Sequence, residues 1–304
     1  MKPILSFEEL CRQLEPVLGQ LEEKQQADRK KKTKQTLIWG GIIVALTLVI
    51  LCFMQIGTGL MIGVCLLMFM LAIVWSTSSE LNQFYKQEVV SHMVATLVDN
   101  GNYFPEKGIP EALFNGMDIF SRPDRYKSED LISGTIDKTS FYFSEAHAER
   151  REQRSNGKTT RTVWVTLFKG FLFIADFNKH FEGQTIVTRD TLIKLRGGRV
   201  KLENPAFEKK FDVYATDQVE ARYILTPSLM ERLLNLDEDF DGGMVVSFCD
   251  SKIMIAIDNS TNHFEVSSSQ KYNTGRMFAD YEMITSLIGI VDDLNLNTRI
   301  WTKE

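Results

Sequence analysis

The sequence predicts an α+β protein in which an N-terminal transmembrane helical hairpin precedes a mainly antiparallel β domain with flanking helices. Three observations lead there. From Leu37 to Trp75 no side chain is ionisable. Beyond residue 130, short runs rich in Val, Ile, Phe and Thr recur between turn residues, as antiparallel strands do. Apolar residues at helical spacing flank those runs, Leu81, Tyr85, Val89, Met93 and Leu97 before them and Met277, Tyr281, Ile284, Ile288, Val291 and Leu294 after them. With 44% hydrophobic and 25% charged residues, 7 Pro and 4 Cys in 304, neither a disordered nor a disulfide-stapled chain fits. A formal charge of -5 speaks against coating a nucleic-acid backbone, so nucleic acid is not an expected partner.

The first 36 residues form a cytoplasmic segment, amphipathic and then basic. Ser6 and Glu9 make a capping box ahead of Leu10, Leu14, Val17, Leu18 and Leu21, which predicts a short amphipathic helix that Pro16 should kink or divide. It could pack on the later domain, pair with another copy, or lie on lipid headgroups. Two apolar runs follow, Leu37 to Met54 and Ile56 to Trp75, about 27 and about 30 Å long as helices and each close to a bilayer core. The turn between them is placed at residues 55–59. Gly59 and Gly63, like Gly41 and Ala45, are small residues four apart that let helices approach, either within one chain or between two copies. Arg29, Lys30, Lys31, Lys32 and Lys34 beside the first span hold that side in the cytoplasm, and two spans return the chain to it. Both termini are therefore expected in the cytoplasm, with the lipid bilayer a partner through residues 37–75. Cys11, Cys52, Cys65 and Cys249 are widely spaced and read as free thiols.

Residues 76–304 carry 27 basic and 34 acidic side chains, a balance near -7, and are read as one cytoplasmic α+β domain. Ser78 or Ser79 caps a helix that Asn100-Gly101 ends, and a second helix is expected from Pro110 to Met117. Strands are predicted at Leu131 to Asp137, Ser140 to Ala146, Thr162 to Phe168, Phe171 to Phe177, Thr185 to Arg189, Arg199 to Glu203, Phe211 to Ala215 and Ala221 to Leu225. Lys169-Gly170 is read as a two-residue hairpin turn. A helix after Pro227, a hairpin from Met244 to Ile257, a strand around Phe264 and a helix from Asn273 to Asn295 complete the order.

Chemistry is sparsely marked. The 4 His show no paired ligand spacing, and no nucleophile elbow, phosphate loop or kinase signature occurs. No cofactor is implied, and no catalytic residue can be named. Asp237-Glu238-Asp239-Phe240-Asp241-Gly242 matches half of an EF-hand loop, but Phe248 occupies the position of the bidentate Glu. Asp237, Asp239 and Asp241 therefore read first as a solvated acidic connection and only second as metal ligands. Arg150, Arg151 and Arg154, with Lys158 and Arg161 around Asn156-Gly157, form a basic run between two strands, either a solvated loop or a cradle for an anion or partner.

Several phrases occur together: Tyr126-Lys127-Ser128-Glu129-Asp130-Leu131-Ile132-Ser133-Gly134, Phe168-Lys169-Gly170-Phe171, Asp176-Phe177-Asn178-Lys179, Phe207-Glu208-Lys209-Lys210-Phe211-Asp212-Val213-Tyr214, and Asp217 with Glu220 to Pro227. Following two early spans, they resemble the bacterial family called Domain of Unknown Function 3137, over roughly residues 80–270. The resemblance implies a bacterial inner-membrane protein with a cytoplasmic domain, and supplies no reaction. Within these phrases Phe207, Phe211, Val213 and Tyr223 are expected to pack, Gly134 and Gly170 to serve turns or close approaches, and Asp130, Asp176, Glu208, Asp217 and Arg222 are the polar candidates. The leading expectation is a membrane-tethered binding or scaffolding module engaging a protein partner or small ligand, with self-association open. The alternative is a membrane-bound hydrolase or transferase using carboxylates such as Asp130 or Asp217.

Overall fold

The computed structural model describes residues 5–53, 56–74, 79–155, 157, 159–189, 197–241, 243–266 and 274–296. Among them the protein is α+β, with a long N-terminal apolar helix and a mainly antiparallel sheet. Two compact units emerge, one of residues 6–90 with 264–280, the other of residues 91–263 with 1–5 and 281–304. Residues 79–90, 264–266 and 274–280, which the sequence grouped with the β domain, thus fall in the first unit.

In that first unit, helix α1 (Phe7–Phe53) runs 47 residues, about 70 Å, without interruption. The Glu9 amide donates to Ser6 Oγ at 3.4 Å, so the expected cap forms. Pro16 does not divide the helix: it lies on the exposed side, where the carbonyl it leaves unpaired can face water. Leu10, Leu14, Leu21, Gln25 and Lys32 share the buried face, at alternating spacings of four and seven residues that keep one stripe inward. Asp28 answers the Lys32 ammonium at 3.3 Å. From residue 37 the same helix changes character, exposing Leu37, Ile38, Trp39, Val44 and Leu48, and its apolar part is long enough to cross a membrane. Helix α2 (Ile56–Val74) begins at Ile56, so the expected turn at 55–59 is corrected: residues 56–59 are helical, and Gln55 lies outside the described residues. In apolar surroundings an unpaired backbone costs more than helical glycine does.

Helix α3 (Ser79–Phe84) continues through a π-helical turn, Tyr85–Val90, into α4 (Ser91–Leu97). Ser78, the other expected cap, lies outside the described residues. Tyr85, buried in the π turn, donates to Asp280 Oδ2 at 2.7 Å, and the Phe264 amide donates to the same carboxylate's Oδ1 at 3.2 Å. Phe264 has φ 56°, so the strand expected there does not form; its amide turns to Asp280 instead.

The second unit holds a nine-stranded sheet in the order β1-β2-β3-β4-β9-β8-β5-β7-β6, antiparallel throughout. Its strands are β1 (Asp99–Phe104), β2 (Arg125–Ile136), β3 (Thr139–Ser155), β4 (Thr160–Asp176), β5 (Thr185–Thr188), β6 (Gly198–Val200), β7 (Asp212–Ala215), β8 (Met244–Cys249) and β9 (Lys252–Asp258). Helices α5 (Glu111–Gly116), α6 (Pro205–Lys210), α7 (Gln218–Ile224) and α8 (Pro227–Asp239) lie between strands, and α9 (Thr274–Asp293) follows. Phe141, Phe143, Phe171, Phe173, Ile253, Ile255 and Ile257 fill one face, and Ala146, Ala148, Phe168, Leu172, Ile174, Met254 and Ala256 the other. Phe114 of α5 packs on the second face, 6.1 Å from the Phe168 ring.

Four sequence expectations change here. Asn100-Gly101 does not simply stop a helix but enters edge strand β1, Asn100 taking φ 52°. Lys169-Gly170 is not a turn: β4 runs through it, paired His147↔Lys169 and Ala146↔Gly170. Gly170 serves close approach instead, since a Cβ there would lie 2.0 Å from the Ile257 carbonyl oxygen of β9. Of the strand expected at Ala221 to Leu225, Ala221–Ile224 is helical and Leu225 ends the helix, because Asp217 caps α7, accepting from the Val219 and Glu220 amides at 2.6 and 3.1 Å. The run after Ala148 is no loop, because β3 and β4 stay paired out to Ser155↔Thr160. Helix α6 escaped the sequence reading, although Asn204 at its N-cap and Pro205 at its first position announce it. The hairpin from Met244 turns through Asp250 and Ser251, both at positive φ, as expected of a two-residue turn.

Gly170→Ala should therefore cost about 3 kcal/mol or more, because the obstacle is backbone rather than a mobile side chain. Gly198→Ala, whose nearest new contact would be 3.9 Å away, should cost far less. Comparative thermal unfolding of the detergent-solubilised variants checks this, and equal melting temperatures would refute the close-approach account.

Candidate functional site

The residues singled out by sequence divide by what they touch. Asp130 is buried on β2 at φ 61°, beside the register shift between Glu129 and Ile132, and its carboxylate accepts from the Tyr103 hydroxyl. Asp176 ends β4 and pairs with Lys252 Nζ at 2.7 Å, which raises that ammonium above the usual lysine range. Glu208, in the first turn of α6, accepts from the Leu202 amide at 2.9 Å. Asp217 is spent on capping α7. Arg222 donates to the Gln218 carbonyl at 2.9 Å and the Lys201 carbonyl at 3.3 Å. These four carboxylates thus sit at separate places in the fold and serve different partners. Phe207, Phe211 and Val213 are buried as expected, but Tyr223 is 46% exposed, its ring 4.5 Å from the Lys179 ammonium. Burial lowers Lys179 from the ordinary lysine value.

The solvated connection expected at the acidic run is corrected by helix α8. Asp237 and Asp239 belong to its last turn rather than to a loop, and Gly242 lies outside the described residues. Thr226 caps α8 and Pro227 opens it, so the helix extends until Phe240, leaving Asp241 in the turn beyond. Asp237 is fully buried and is neutralised by protein cations: Oδ2 accepts from Arg189 and lies 3.0 Å from the Lys210 ammonium. Lys210 also reaches Glu238 at 3.3 Å. Among the described residues no group of three His, Cys, Asp or Glu is arranged to hold a metal.

A cleft of about 460 Å³ opens beside α8 and the end of α9, lined by Glu231, Arg232, Asn235, Asp239, Asp292 and Asp293 among others. Arg232 donates to the Asp293 carbonyl at 2.7 Å. Ser228, Arg232, Asn235 and Asp239 recur at spacings of four and three, so this polar stripe of α8 is legible in the sequence; that Asp292 and Asp293 face it is not. Burial, Asp239 and Asp292 raise Asp293 above the usual carboxylate range, with Arg232 opposing.

The basic run occupies the outer part of the β3–β4 pair. Strand β2 pairs with β3 only as far as Arg125↔Glu149, and β9 with β4 only as far as Gly170↔Asp258. Residues 150–155 and 160–166 therefore continue as a two-stranded ribbon; Asn156 and Lys158 lie outside the described residues. Strand alternation puts Arg150, Glu152 and Arg154 on one ribbon face with their partners Val165, Val163 and Arg161. Glu152 bonds Arg150 at 2.6 Å and lies 3.6 Å from Arg154, and the Arg150 hydrogen bond holds its carboxyl below the usual range. On the opposite face Arg151 pairs with Trp164, and the Arg125 guanidinium lies 3.5 Å from that indole. The Arg151 amide donates to Asp124 Oδ2 at 2.7 Å.

Asp237→Asn should lower stability by about 2 kcal/mol, since it leaves Arg189 and Lys210 without their shared charge; unchanged melting would show the pair to be dispensable. For Asp293 the sign is the reverse of an ordinary paired carboxylate. A carboxyl raised on folding stabilises below its unfolded value, about 3.9, and loses that contribution as pH rises through the folded value. Asp293→Asn should accordingly show a smaller loss of melting temperature from acidic to neutral pH than the parent, and identical pH profiles would contradict this.

No curated protein matches the chain. Among solved structures, the crystal structure of the mycobacterial trehalose monomycolate transport factor A, TtfA, is similar at a TM-score of 0.35 and 9% identity, over 67% of this chain and 92% of that one. That likeness is too slight to support a shared fold or role. Residues 166–296, from the outer part of β4 past the end of α9, match the family model described as Protein of unknown function (DUF3137), and the chain resembles that family.

Proposed function

We propose that this chain is a membrane-tethered binding or scaffolding module of the bacterial inner membrane. Residues 37–75 cross the bilayer as a two-helix hairpin, both termini lie in the cytoplasm, and the β-sheet unit meets a protein partner or small ligand there. The observation that carries the reading is the exposed apolar surface of the ion-free segment: Leu37 is 74% exposed, Leu48 60%, Met61 65% and Phe69 67%. Water disfavours such a surface, whereas acyl chains satisfy it. A hairpin is supported by the contact of Gly63 with Thr47, where a Cβ on the glycine would come within 2.5 Å of the threonine hydroxyl. That contact favours packing of the small residues within one chain over pairing of two copies. The Thr47 hydroxyl bonds back to the Ile43 carbonyl at 2.7 Å, which suits a polar group in lipid. The basic run before Leu37 supports the cytoplasmic orientation. A binding role rather than catalysis is supported by carboxylates committed to separate caps, ion pairs and hydrogen bonds.

Leu46→Lys places a charge inside the first span at a cost of about 3 kcal/mol for insertion. It should shift the protein out of the carbonate-resistant membrane fraction, while Gln35→Lys should leave it there. A reporter active only in the cytoplasm should work fused after Glu304; activity of a periplasm-specific reporter at that position would overturn the topology.

A further inference from the structure

The ribbon carries an unusual juxtaposition. Arg154 and Arg161 are direct cross-strand partners and so share a face at its outer end, and Arg150 lies two pairs inward on the same face. Like charges placed directly opposite destabilise a β-pair unless something between them is negative. Glu152 is the one carboxylate on this face of the ribbon's described residues, and its shorter bond is to Arg150, at 2.6 Å against 3.6 Å for Arg154. The side chains of Arg150 and Arg154 are 44% and 66% exposed, and Val163 and Val165 share that ribbon face. Residues 149–166 carry 5 basic and 2 acidic side chains, in a region after residue 75 whose overall balance is near -7.

We propose that the Arg150–Arg154–Arg161 face binds the phosphate of an anionic lipid headgroup. Guanidinium forks donate paired hydrogen bonds to phosphate oxygens, and two opposed arginines would place donors on either side of one phosphate. An anion there removes the repulsion that the cross-strand pair otherwise carries. The lipid is favoured over a soluble anion because this inference rests on the tether reading above: a chain anchored through residues 37–75 keeps the sheet unit at a high effective concentration of headgroups. The acidic balance elsewhere confines the contact to the ribbon, since anionic lipid repels the rest of the surface.

The test uses the full-length chain in nanodiscs of phosphatidylcholine alone or mixed with phosphatidylglycerol, reading amide hydrogen exchange over 149–166. Exchange should slow several-fold in the anionic discs alone, and the protection should vanish in the Arg154→Gln/Arg161→Gln double variant. Unchanged exchange at 139–148 verifies that the variant keeps its β3–β4 pairing; should it fail there, the parent chain in anionic discs at high salt replaces it and should lose the protection. Equal protection in both discs overturns the proposal. So does protection in neutral discs on adding inorganic phosphate, which would make free phosphate the ligand, or on adding soluble polyglutamate, which would point to an acidic protein. A chain that does not enter discs at all defeats the tether, whereas one that enters both with an unaltered ribbon defeats only this inference.

Discussion

The pairing of two seventeen-residue strands, β3 and β4, is the constraint on which the sheet unit depends. Strands β2 and β9 attach to opposite edges of this pair, and the remaining strands attach through them. Because β4 is buried on both faces from Gly170 to Ala175, its register cannot slip by one residue without exchanging the two layers of the core. Gly170 is where this is tightest, since the β9 backbone occupies the space a side chain would need. The same pairing, carried outward past the points where β2 and β9 stop, produces the arginine ribbon.

Many polar residues in the family phrases have architectural work. Asp217 caps α7, Glu208 holds the backbone before α6, and Arg222 ties α7 to Lys201. Glu220 accepts from the Glu182 and Gly183 amides at 3.0 and 2.7 Å, fixing the loop that enters β5. A short antiparallel segment with brief helices inserted between its strands has many helix ends and loops whose backbone groups need partners, and these side chains supply them. The prominence of such residues in a sequence therefore reflects the cost of turning the chain as much as any reaction.

Helix α1 combines two surface characters in one element. Its first part buries a narrow apolar stripe and leaves charges outward, while its later part is apolar around most of its circumference. Continuity is favoured because ending the helix where its character changes would strand four carbonyls and four amides that an unbroken helix pairs internally. Pro16 is tolerated by the same logic, on the face where water can replace the missing bond.

The sequence by itself determined the elements whose signals are local. Ser6 and Glu9, the ion-free stretch from Leu37, Thr226-Pro227, the Met244–Ile257 hairpin and the apolar spacing of the last helix all correspond to the observed elements, because caps, composition and periodicity act within a few residues. Gly134 and Gly170 were legible as positions where a side chain is not tolerated, but not as close approaches rather than turns. Their neighbours, Val98 and Ile257, are distant in sequence. The tertiary structure alone decided that Lys169-Gly170 continues a strand, that Ala221–Ile224 is helical despite its β-favouring Tyr and Ile, and that the EF-like acids end a helix with Asp237 paired to Arg189 and Lys210. It also decided that Arg154 stands opposite Arg161. The physical reason is common to these cases: register and burial are set by partners far away in the chain, whose pairing energy outweighs the local preferences that a linear reading can see.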